Sequence, residues 1–197
     1  MTTTTLVSIA VLALLVFWAV GAHNRLIRLK NTIANAFGQI DVQLKRRYDL
    51  IPNLVEAAKK YLSHENATLE AVIAARNQAQ GASDAVRSRP ANAEAVLALA
   101  GAEQALDGSL GRLFAVVEAY PELKADRSIR ELSEELTSTE NKIAFARQAY
   151  NDTVLDYNNA REQFPALLIA ALFGFKPAAI LEATQSAAER QSVRITL

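Results

Sequence analysis

The 197-residue chain contains no cysteine and only two histidines, His23 and His64. Without cysteine there can be no disulfide, no thiol nucleophile and no thiolate ligand for zinc. His64 and Glu65 begin an HExxH pattern, but Thr68 stands where the second metal-binding histidine is needed. The sequence also lacks a P-loop and a GxGxxG fingerprint. We therefore expect no enzymatic activity, no metal or other cofactor and no small-molecule substrate.

Glycine and proline are also scarce, at seven and five residues, and no stretch alternates apolar and polar residues as a strand does. Apolar residues recur instead at three- and four-residue steps, which indicates helices at about 24–48, 50–80, 91–120 and 127–162. The last of these segments repeats in heptads, as in a coiled coil. Pro52 either starts the second helix or kinks a continuous one, because proline lacks an N–H and clashes with the preceding turn.

No charged residue occurs among the first 22 positions. The apolar run from Leu6 to Ala22 is about 25 Å long as a helix, and the threonines before it extend it towards the roughly 30 Å hydrocarbon core of a bilayer. We predict a transmembrane helix. The alternative is a cleaved signal peptide with Val20-Gly21-Ala22 as the cleavage site, but no basic residue precedes the apolar run.

Basic residues follow this run directly. Arg25, Arg28 and Lys30 lie just after it and no Lys or Arg precedes it, so the positive-inside rule places the N-terminus outside and the rest of the chain in the cytoplasm. Phe17 and Trp18 then lie at the inner membrane interface, as belt aromatics do. We expect all five residues to contact the lipid bilayer.

The rest of the chain is electrically polarised. Residues 23–60 hold eight Lys and Arg against three Asp and Glu, whereas residues 61–181 hold eleven against sixteen. Lys45, Arg46 and Arg47 lie about 33 Å beyond the membrane on a continuous helix, so they form either an interaction surface or a solvated face. With no basic tail, the chain is not expected to bind nucleic acid.

Polar residues interrupt the apolar stripe, or seam, of two of the predicted helices. Glu103 is one interior-facing acid in the otherwise apolar third segment. On the fourth segment, several polar residues lie on or beside the seam, together with Asp152 and Asn158, and we interpret them as setting helix register through buried hydrogen bonds. The register-setting candidates are Thr139, Glu140, Asn141, Tyr150 and Asn151.

Residues 164–175 are apolar throughout but too short to cross a bilayer. They either pack across the end of the helices as core, or lie at the bilayer interface or against a neighbouring subunit. Phe164, Phe173 and Phe175 are the candidate contacts. The predicted fold is thus all-α: a transmembrane anchor at 1–23, an elongated antiparallel four-helix bundle at 24–163, and an apolar segment with a short C-terminal helical tail at 164–197.

Several motifs together resemble the LemA family of bacterial membrane proteins, over about residues 24–182. They are QIDVQLKRRYDLIPNLV from Gln39, HE at His64, YPELKA from Tyr120, TENKIAFARQAYNDTVLDYN from Thr139, FP at Phe164 and FGF at Phe173. The resemblance implies a single-pass protein with a long helical bundle in the bacterial inner membrane, and no established enzymatic activity. A member associated with magnetosome membranes suggests membrane organisation. Phe37, where the family often has tryptophan, and Ile180-Leu181, in place of a more aromatic ending, depart from the family pattern.

These observations lead to two hypotheses about function. The first is a non-enzymatic, membrane-anchored helical scaffold that self-associates, with its oppositely charged regions meeting between neighbours and its tail touching lipid. The second is an adaptor that presents a partner protein to a membrane enzyme such as a protease. The expected partners are the lipid bilayer, further copies of the chain and, in the second case, another membrane protein.

Overall fold

The computed structural model describes residues 3–62 and 65–182, and within them the chain is helical with no strand. Its helices are α1 (Thr3–Lys59), α2 (Asn66–Ser88), α3 (Ala93–Ala119), α4 (Pro121–Ala125), α5 (Arg127–Glu162) and α6 (Ala166–Leu172). The all-α prediction is confirmed. After α6, residues 175–182 have no regular secondary structure. The predicted helical tail is therefore limited, in the described part, to α6, and the remainder of it, 183–197, lies outside the described residues.

Helix α1 is a single helix of 57 residues, about 85 Å long at 1.5 Å per residue. Its N-terminal part is long and apolar enough to cross a bilayer, and none of its most apolar window is buried against the rest of the chain. The large apolar side chains from Leu6 to Val20 are exposed. A long N-terminal apolar helix is thus confirmed, and it continues without a break into the folded part of the protein.

Pro52 lies inside α1 and does not end it. A proline at this position removes the N–H that would bond to the carbonyl four residues earlier, which belongs to Tyr48. Arg76 of α2 supplies the missing donor, with its Nε 2.9 Å from the Tyr48 carbonyl oxygen. The helix continues because a side chain from its neighbour satisfies that carbonyl.

Of the two alternatives for Pro52, the structure has the continuous helix, and the predicted second helix at about 50–80 was wrong at both ends. The chain leaves α1 after Lys59, eleven residues beyond the predicted end at about 48, and re-enters a helix at Asn66. Helix α2 then runs on through Gly81 to Ser88, beyond the predicted end at about 80. One glycine in a helix costs only about 1 kcal/mol relative to alanine, and the burial of Ser83 and Val86 on the same helix outweighs it.

One core cluster draws side chains from α1, α2, α3 and α5. Each buried leucine or isoleucine in it contributes about 1.5–3 kcal/mol through removal of apolar surface from water. Its fully buried members include Ile33, Ile40, Ile51, Leu54, Val72, Val86, Leu99, Leu106, Leu113, Tyr150 and Val154. A second, small cluster joins Leu26 of α1, Ala160 of α5 and Ala170 of α6.

Cross-helix contacts show where each part of α5 lies along α1. Tyr61, just beyond the end of α1, donates to Asp126 at 2.8 Å, and Asp126 caps the first turn of α5 by accepting from the Ile129 N–H. Further along α5, the Tyr150 ring lies 6.2 Å from the Phe37 ring. Residue numbers rise along α1 as they fall along α5. The end of α5 therefore lies beside the part of α1 around Leu26, just after the apolar stretch, and α6 lies there as well.

The contact between Arg76 and the Tyr48 carbonyl yields a test of how α1 passes Pro52. We expect Arg76→Ala to lower the free energy of unfolding by about 1.5–3 kcal/mol, the usual worth of a charge-assisted hydrogen bond. In a Pro52→Ala background the backbone N–H of residue 52 serves the same carbonyl, so Arg76→Ala should cost clearly less. Denaturant unfolding of the four proteins in mild detergent, followed by circular dichroism, measures this double-mutant cycle. Equal costs in both backgrounds would contradict the assignment.

Candidate functional site

Arg47 of α1 is the most deeply buried charged side chain in the described part of the chain, with only 5% of its surface exposed. Its Nη1 lies 2.8 Å from a carboxylate oxygen of Glu103 on α3 and 3.1 Å from one of Glu140 on α5. Its Nη2 pairs with Asp107, one turn along α3 from Glu103. One guanidinium thus connects three helices, because its planar fork can serve several carboxylates at once.

Burial and neighbouring charges act on the pKa values of this cluster in different directions. Burial alone would lower the pKa of Arg47, and the carboxylates of Asp107, Glu103 and Glu140 overcome this and raise the pKa above its ordinary value. Burial raises the pKa of Glu103, against the opposing effects of Arg47 and of the hydrogen bond from Tyr48. Burial and the charge of Glu103 likewise raise the pKa of the Tyr48 hydroxyl, which donates to that carboxylate.

A cavity of about 30 Å³ lies beside this cluster. A volume of that size holds about one water molecule. The apolar side chains of Ile40, Leu44, Ile143 and Leu181 form part of its wall. The arrangement suits a buried structural ion cluster, since such charges are stable only when paired and hydrogen-bonded.

The three basic residues predicted as an interaction surface or solvated face have different surroundings. Arg47 is buried, so it is not available to a partner, and for this residue the prediction was wrong. Arg46 is exposed and pairs with Glu135 of α5 within the same chain, with its Nε 3.1 Å from the carboxylate. Lys45 lies on the exposed side of α1. The sequence indicated that Glu103 points inward, but the spacing along one chain could not identify Arg47 as its partner.

The oppositely charged regions also meet inside one chain. Asp41 of α1 pairs with Arg87 of α2 at 2.7 Å and accepts a hydrogen bond from Ser83 at 3.1 Å. With the pairs made by Arg46 and Arg47, this contact places positive and negative residues from the two halves against each other within the fold. Charge complementarity between neighbouring copies is therefore a weaker basis for assembly than the sequence alone indicated.

The end of the described chain lies along α5 and is held through its backbone. The Asn158 side chain accepts from the Ala178 N–H at 3.0 Å and donates to the carbonyl oxygen of the same residue at 2.9 Å. Asn151, seven residues earlier on the same face of α5, does the same for Leu181, at 2.8 Å and 3.2 Å. Each asparagine amide therefore pairs with both the N–H and the C=O of one residue, as a residue of a neighbouring antiparallel strand would.

Two tyrosines extend this row of contacts. The Tyr157 hydroxyl donates to the Lys176 carbonyl at 2.8 Å, and the Tyr150 hydroxyl lies 3.2 Å from the Ala179 carbonyl oxygen. Burial raises the pKa of Tyr150 to about 12, so the hydroxyl stays protonated and able to donate at physiological pH. We call the face of α5 that carries Tyr150, Asn151, Tyr157 and Asn158 the asparagine groove, and residues 176–181 the C-terminal segment.

The remaining register-setting candidates have three different environments. Thr139 is buried, but its hydroxyl donates to the Glu135 carbonyl of its own helix at 2.8 Å. Glu140 belongs to the Arg47 cluster, and Asn141 is exposed. Sequence reasoning did not foresee the asparagine groove, although the seven-residue spacing of Asn151 and Asn158 was a usable signal.

The predicted membrane-interface residues lie on the exposed surface of α1, with 79% of Phe17 exposed. Trp18 and Arg25 line a hollow together with Phe164 and Pro165, which directly precede α6. The structure therefore brings the apolar tail to the point where α1 leaves its apolar stretch.

The tail itself is only partly packed. In α6 and the turn after it, Ile169 and Ala170 are buried, whereas Leu167, Leu168, Leu172 and Phe173 are exposed. The His23 ring of α1 contacts the rings of Phe173 and Phe175, with centroids 4.5 Å and 5.4 Å apart. Of the two readings left open by the sequence, packing as core accounts for one side of the tail and leaves the larger apolar side uncovered.

The Arg47 cluster generates a test with a matched control on the neighbouring residue. We expect Arg47→Met to lower the free energy of unfolding by about 3–5 kcal/mol at pH 8, because a buried carboxylate loses its cation. Arg46→Met removes an exposed pair and should cost about 0–1 kcal/mol. In Arg47→Met the folded-state pKa of Glu103 rises further above its unfolded-state pKa. The free energy of unfolding therefore falls as the pH rises from the unfolded-state pKa to the folded-state pKa, and Arg47→Met should cost less stability at pH 5 than at pH 8.

Denaturant unfolding in mild detergent at both pH values measures these differences. Adding Glu103→Gln to Arg47→Met should restore part of the stability at pH 8 and remove the pH dependence. A loss in Arg47→Met that is the same at pH 5 and pH 8 would contradict the assignment of Glu103 as the buried acid.

Comparison with known proteins gives the following matches. The MamQ magnetosome protein of Magnetospirillum gryphiswaldense is 34% identical over 79 residues, which is 40% of this chain and 29% of MamQ. The MamQ 2 magnetosome protein of Paramagnetospirillum magneticum is 36% identical over 81 residues, 41% of this chain and 30% of that protein. The matched part thus spans less than a third of either MamQ protein.

A longer match is the LemA protein of Metamycoplasma hominis, which is 25% identical over 169 residues, covering 86% of this chain and 73% of that protein. The model of the LemA family matches residues 36–196, which include α2, α3, α5 and most of the folded part of α1. The resemblance carried by the sequence motifs is thereby confirmed, and the chain belongs to the LemA family.

Proposed function

We propose that the protein is a non-enzymatic, membrane-anchored helical scaffold whose copies associate side by side and organise the membrane that holds them. The observation that carries this proposal is the unbroken α1, which is both the candidate membrane span and the longest helix of the folded part. A continuous helix has no hinge between anchor and domain, so every copy holds its domain at the same height above the bilayer. Fixed height is what a lateral assembly requires.

The folded part of α1 with α2, α3 and α5 forms, in this proposal, one elongated antiparallel four-helix bundle. One support is the common core cluster. The other is the order of the cross-helix contacts: along α1, Asp41 and then Tyr48 contact first Arg87 and then Arg76 of α2, so α2 runs in the opposite direction to α1. The contacts of α5 with α1 follow the same reversed order. Such a bundle has its long axis along α1 and stands upright on the membrane.

We place the protein in the bacterial inner membrane with the N-terminus outside and the bundle in the cytoplasm. The support is the cluster of Arg25, Arg28 and Lys30 after the apolar stretch and the absence of Lys and Arg before it. Basic residues at that position also gain about 1 kcal/mol each from anionic lipids of the inner leaflet. Protease digestion of the domain from outside intact spheroplasts would contradict this orientation.

The lateral contact is assigned to an exposed surface between α1 and α5, centred on Phe145. This ring is 79% exposed and borders a shallow groove that combines apolar and polar residues. The other residues that line the groove are Gln39 and Gln43 of α1 and Ser138, Asn141, Lys142, Ala146 and Ala149 of α5. Val42, on the same stretch of α1, is also exposed. The occupant we propose is the same surface of a second copy. Phe145 lies beside Gln39 and Gln43, about 30 Å beyond Ala22 along α1. A neighbouring copy in the same membrane has its own Phe145 at the same height, so the two rings can meet.

Helix α6 provides, in the same proposal, a second contact with the bilayer. Its uncovered side chains are all apolar, and it lies beside Trp18 and Arg25 at the membrane-proximal end of the bundle. A short apolar helix at that level buries its exposed leucines in the interface rather than in water. The names of the MamQ relatives, as magnetosome proteins, are in keeping with a role in an organised assembly.

The scaffold proposal is tested by the particle mass of the full chain in mild detergent. We expect Phe145→Glu to reduce the large particles to monomers, because a charge on each copy would be buried opposite another. Leu97→Glu is the matched control: it places the same charge at an exposed leucine on α3 and should leave the mass unchanged. Light scattering and electron microscopy measure the particles.

Monomers in the unmodified protein would reject self-association. A stoichiometric second protein bound to those monomers would then favour the adaptor that serves a membrane enzyme. Because the charged regions pair within each chain, particles held by the Phe145 surface should also persist at high ionic strength, and dissociation by salt would contradict that surface as the main contact.

The lipid contact of α6 can be measured because the chain has no cysteine of its own. We expect a fluorescent label on Leu168→Cys or Leu172→Cys to be quenched by brominated lipids in vesicles, as a label on Phe17→Cys should be. A label on Leu97→Cys, far from the membrane on α3, should not be quenched. Absence of quenching at both α6 positions would contradict the lipid contact.

A further inference from the structure

The C-terminal segment is recognised almost entirely through its backbone. Asn158 and Asn151 pair with the N–H and C=O of Ala178 and Leu181, and two tyrosine hydroxyls lie within hydrogen-bond reach of two more carbonyls. An extended peptide bound in this way resembles a strand added to a sheet edge, in which main-chain hydrogen bonds provide the affinity and alternate side chains the specificity. The asparagine groove therefore has the chemistry of a site for an extended peptide.

Side-chain pockets restrict which peptide fits. Ala178 and Leu181 are buried, three residues apart, whereas Ile180 between them is exposed. Leu181 also lines the cavity beside Arg47 and Glu103. A peptide that fits the asparagine groove therefore has a small residue followed, three positions later, by an aliphatic one. Every copy of the chain carries such a segment.

The connection between α5 and the C-terminal segment is only partly packed, through Ile169 and Ala170 and through the contacts of Phe173 and Phe175 with His23. It passes through α6, most of whose large side chains are exposed, and through the turn at Phe173 and Gly174, where Gly174 has a φ of +68°. Glycine adopts this left-handed conformation at little cost. The thirteen residues 163–175 span up to about 43 Å when extended and about 30 Å with α6 intact. Two bundles in contact have axes roughly 20 Å apart, given 8–10 Å between packed helices.

We propose that the asparagine groove of one copy binds the C-terminal segment of a neighbouring copy, so that segment exchange links the copies of the assembly. This inference rests on the proposed self-association and specifies a second contact within it. Exchange keeps every hydrogen bond between the segment and the groove, because the donor and acceptor atoms are the same in both arrangements. It opens only the turn after α6, where the Phe175 N–H bonds to the Ala170 carbonyl. The equilibrium between the closed and the exchanged arrangement therefore depends on the local concentration of neighbouring copies. An anchor that confines copies to one plane at one height raises that concentration.

Photo-crosslinking of the full chain in vesicles tests the exchange. A benzophenone label is attached to Ile180→Cys in copies with one affinity tag, and these are reconstituted with unlabelled copies that carry another tag. We expect adducts between the two tagged forms, mapped by mass spectrometry to α5 near residues 147–161. A label on Leu97→Cys should give no adduct at that site.

Two variants examine the groove itself. Asn158→Leu in the unlabelled copies should lower the yield of adducts between copies about thirtyfold, since two hydrogen bonds of about 1 kcal/mol each are lost. Asn159→Leu alters an exposed asparagine one residue away and should leave the yield unchanged. Leu181→Glu in the labelled copies alters the segment but not α5, and should lower the yield to a similar extent. Faster hydrogen exchange at 176–182 in Asn158→Leu would confirm that the segment has left the groove.

The outcomes separate this inference from the scaffold proposal. Large particles with adducts only inside single chains would overturn segment exchange and leave the scaffold in place. Large particles with adducts between copies that are insensitive to Asn158→Leu would overturn the groove as the receiving site. Monomeric particles would reject both proposals, and an adduct with an unrelated extended peptide in place of a second copy would reject exchange in favour of an adaptor.

Discussion

The structure depends on α1 being one unbroken helix, because the candidate membrane span and the folded part share it. The buried side chains from Leu26 to Ile51 attach the rest of the fold directly to this helix, before Pro52 is reached. Beyond them, the guanidinium of Arg76 donates to the Tyr48 carbonyl that proline leaves without its usual partner. A contact between α2 and the backbone of α1 thus supports the helix where proline would otherwise weaken its last turns.

Ion pairing inside the fold bears on how an assembly of copies would be held. Arg46, Arg47 and Arg87 each contact carboxylates on another helix of the same chain, so these charges are already paired when the helices pack. Surface ion pairs are worth at most about 1 kcal/mol and are screened by salt. The surface also carries large exposed apolar side chains, namely Phe145 on α5 and the leucines of α6. In the proposed assembly, we expect these apolar surfaces and lipid to contribute more than ion pairs between copies.

The apolar periodicity was enough to predict the helical class, the N-terminal span and the inward direction of Glu103, because each depends on local sequence. The helix boundaries near Pro52 could not be predicted, since the residue that satisfies the Tyr48 carbonyl is 28 positions away. The role of Arg47 could not be predicted for the same reason, because its partners lie more than 50 residues further along the chain. Contacts between distant residues overrode the local signals at both places.

The asparagine groove shows why a polar helix face need not set helix register. Asn151 and Asn158 lie beside the apolar seam, where an amide would ordinarily be expected to bond another helix, yet both bond an extended segment instead. A side-chain amide carries an N–H donor and a C=O acceptor side by side, as the N–H and C=O of one residue stand side by side along the edge of an extended segment, so it can bind that backbone without contacting its side chains. That property makes the groove indifferent to which copy supplies the segment. Because Leu181 of the segment lines the cavity beside Arg47, an aliphatic side chain covers one side of the buried guanidinium in either arrangement.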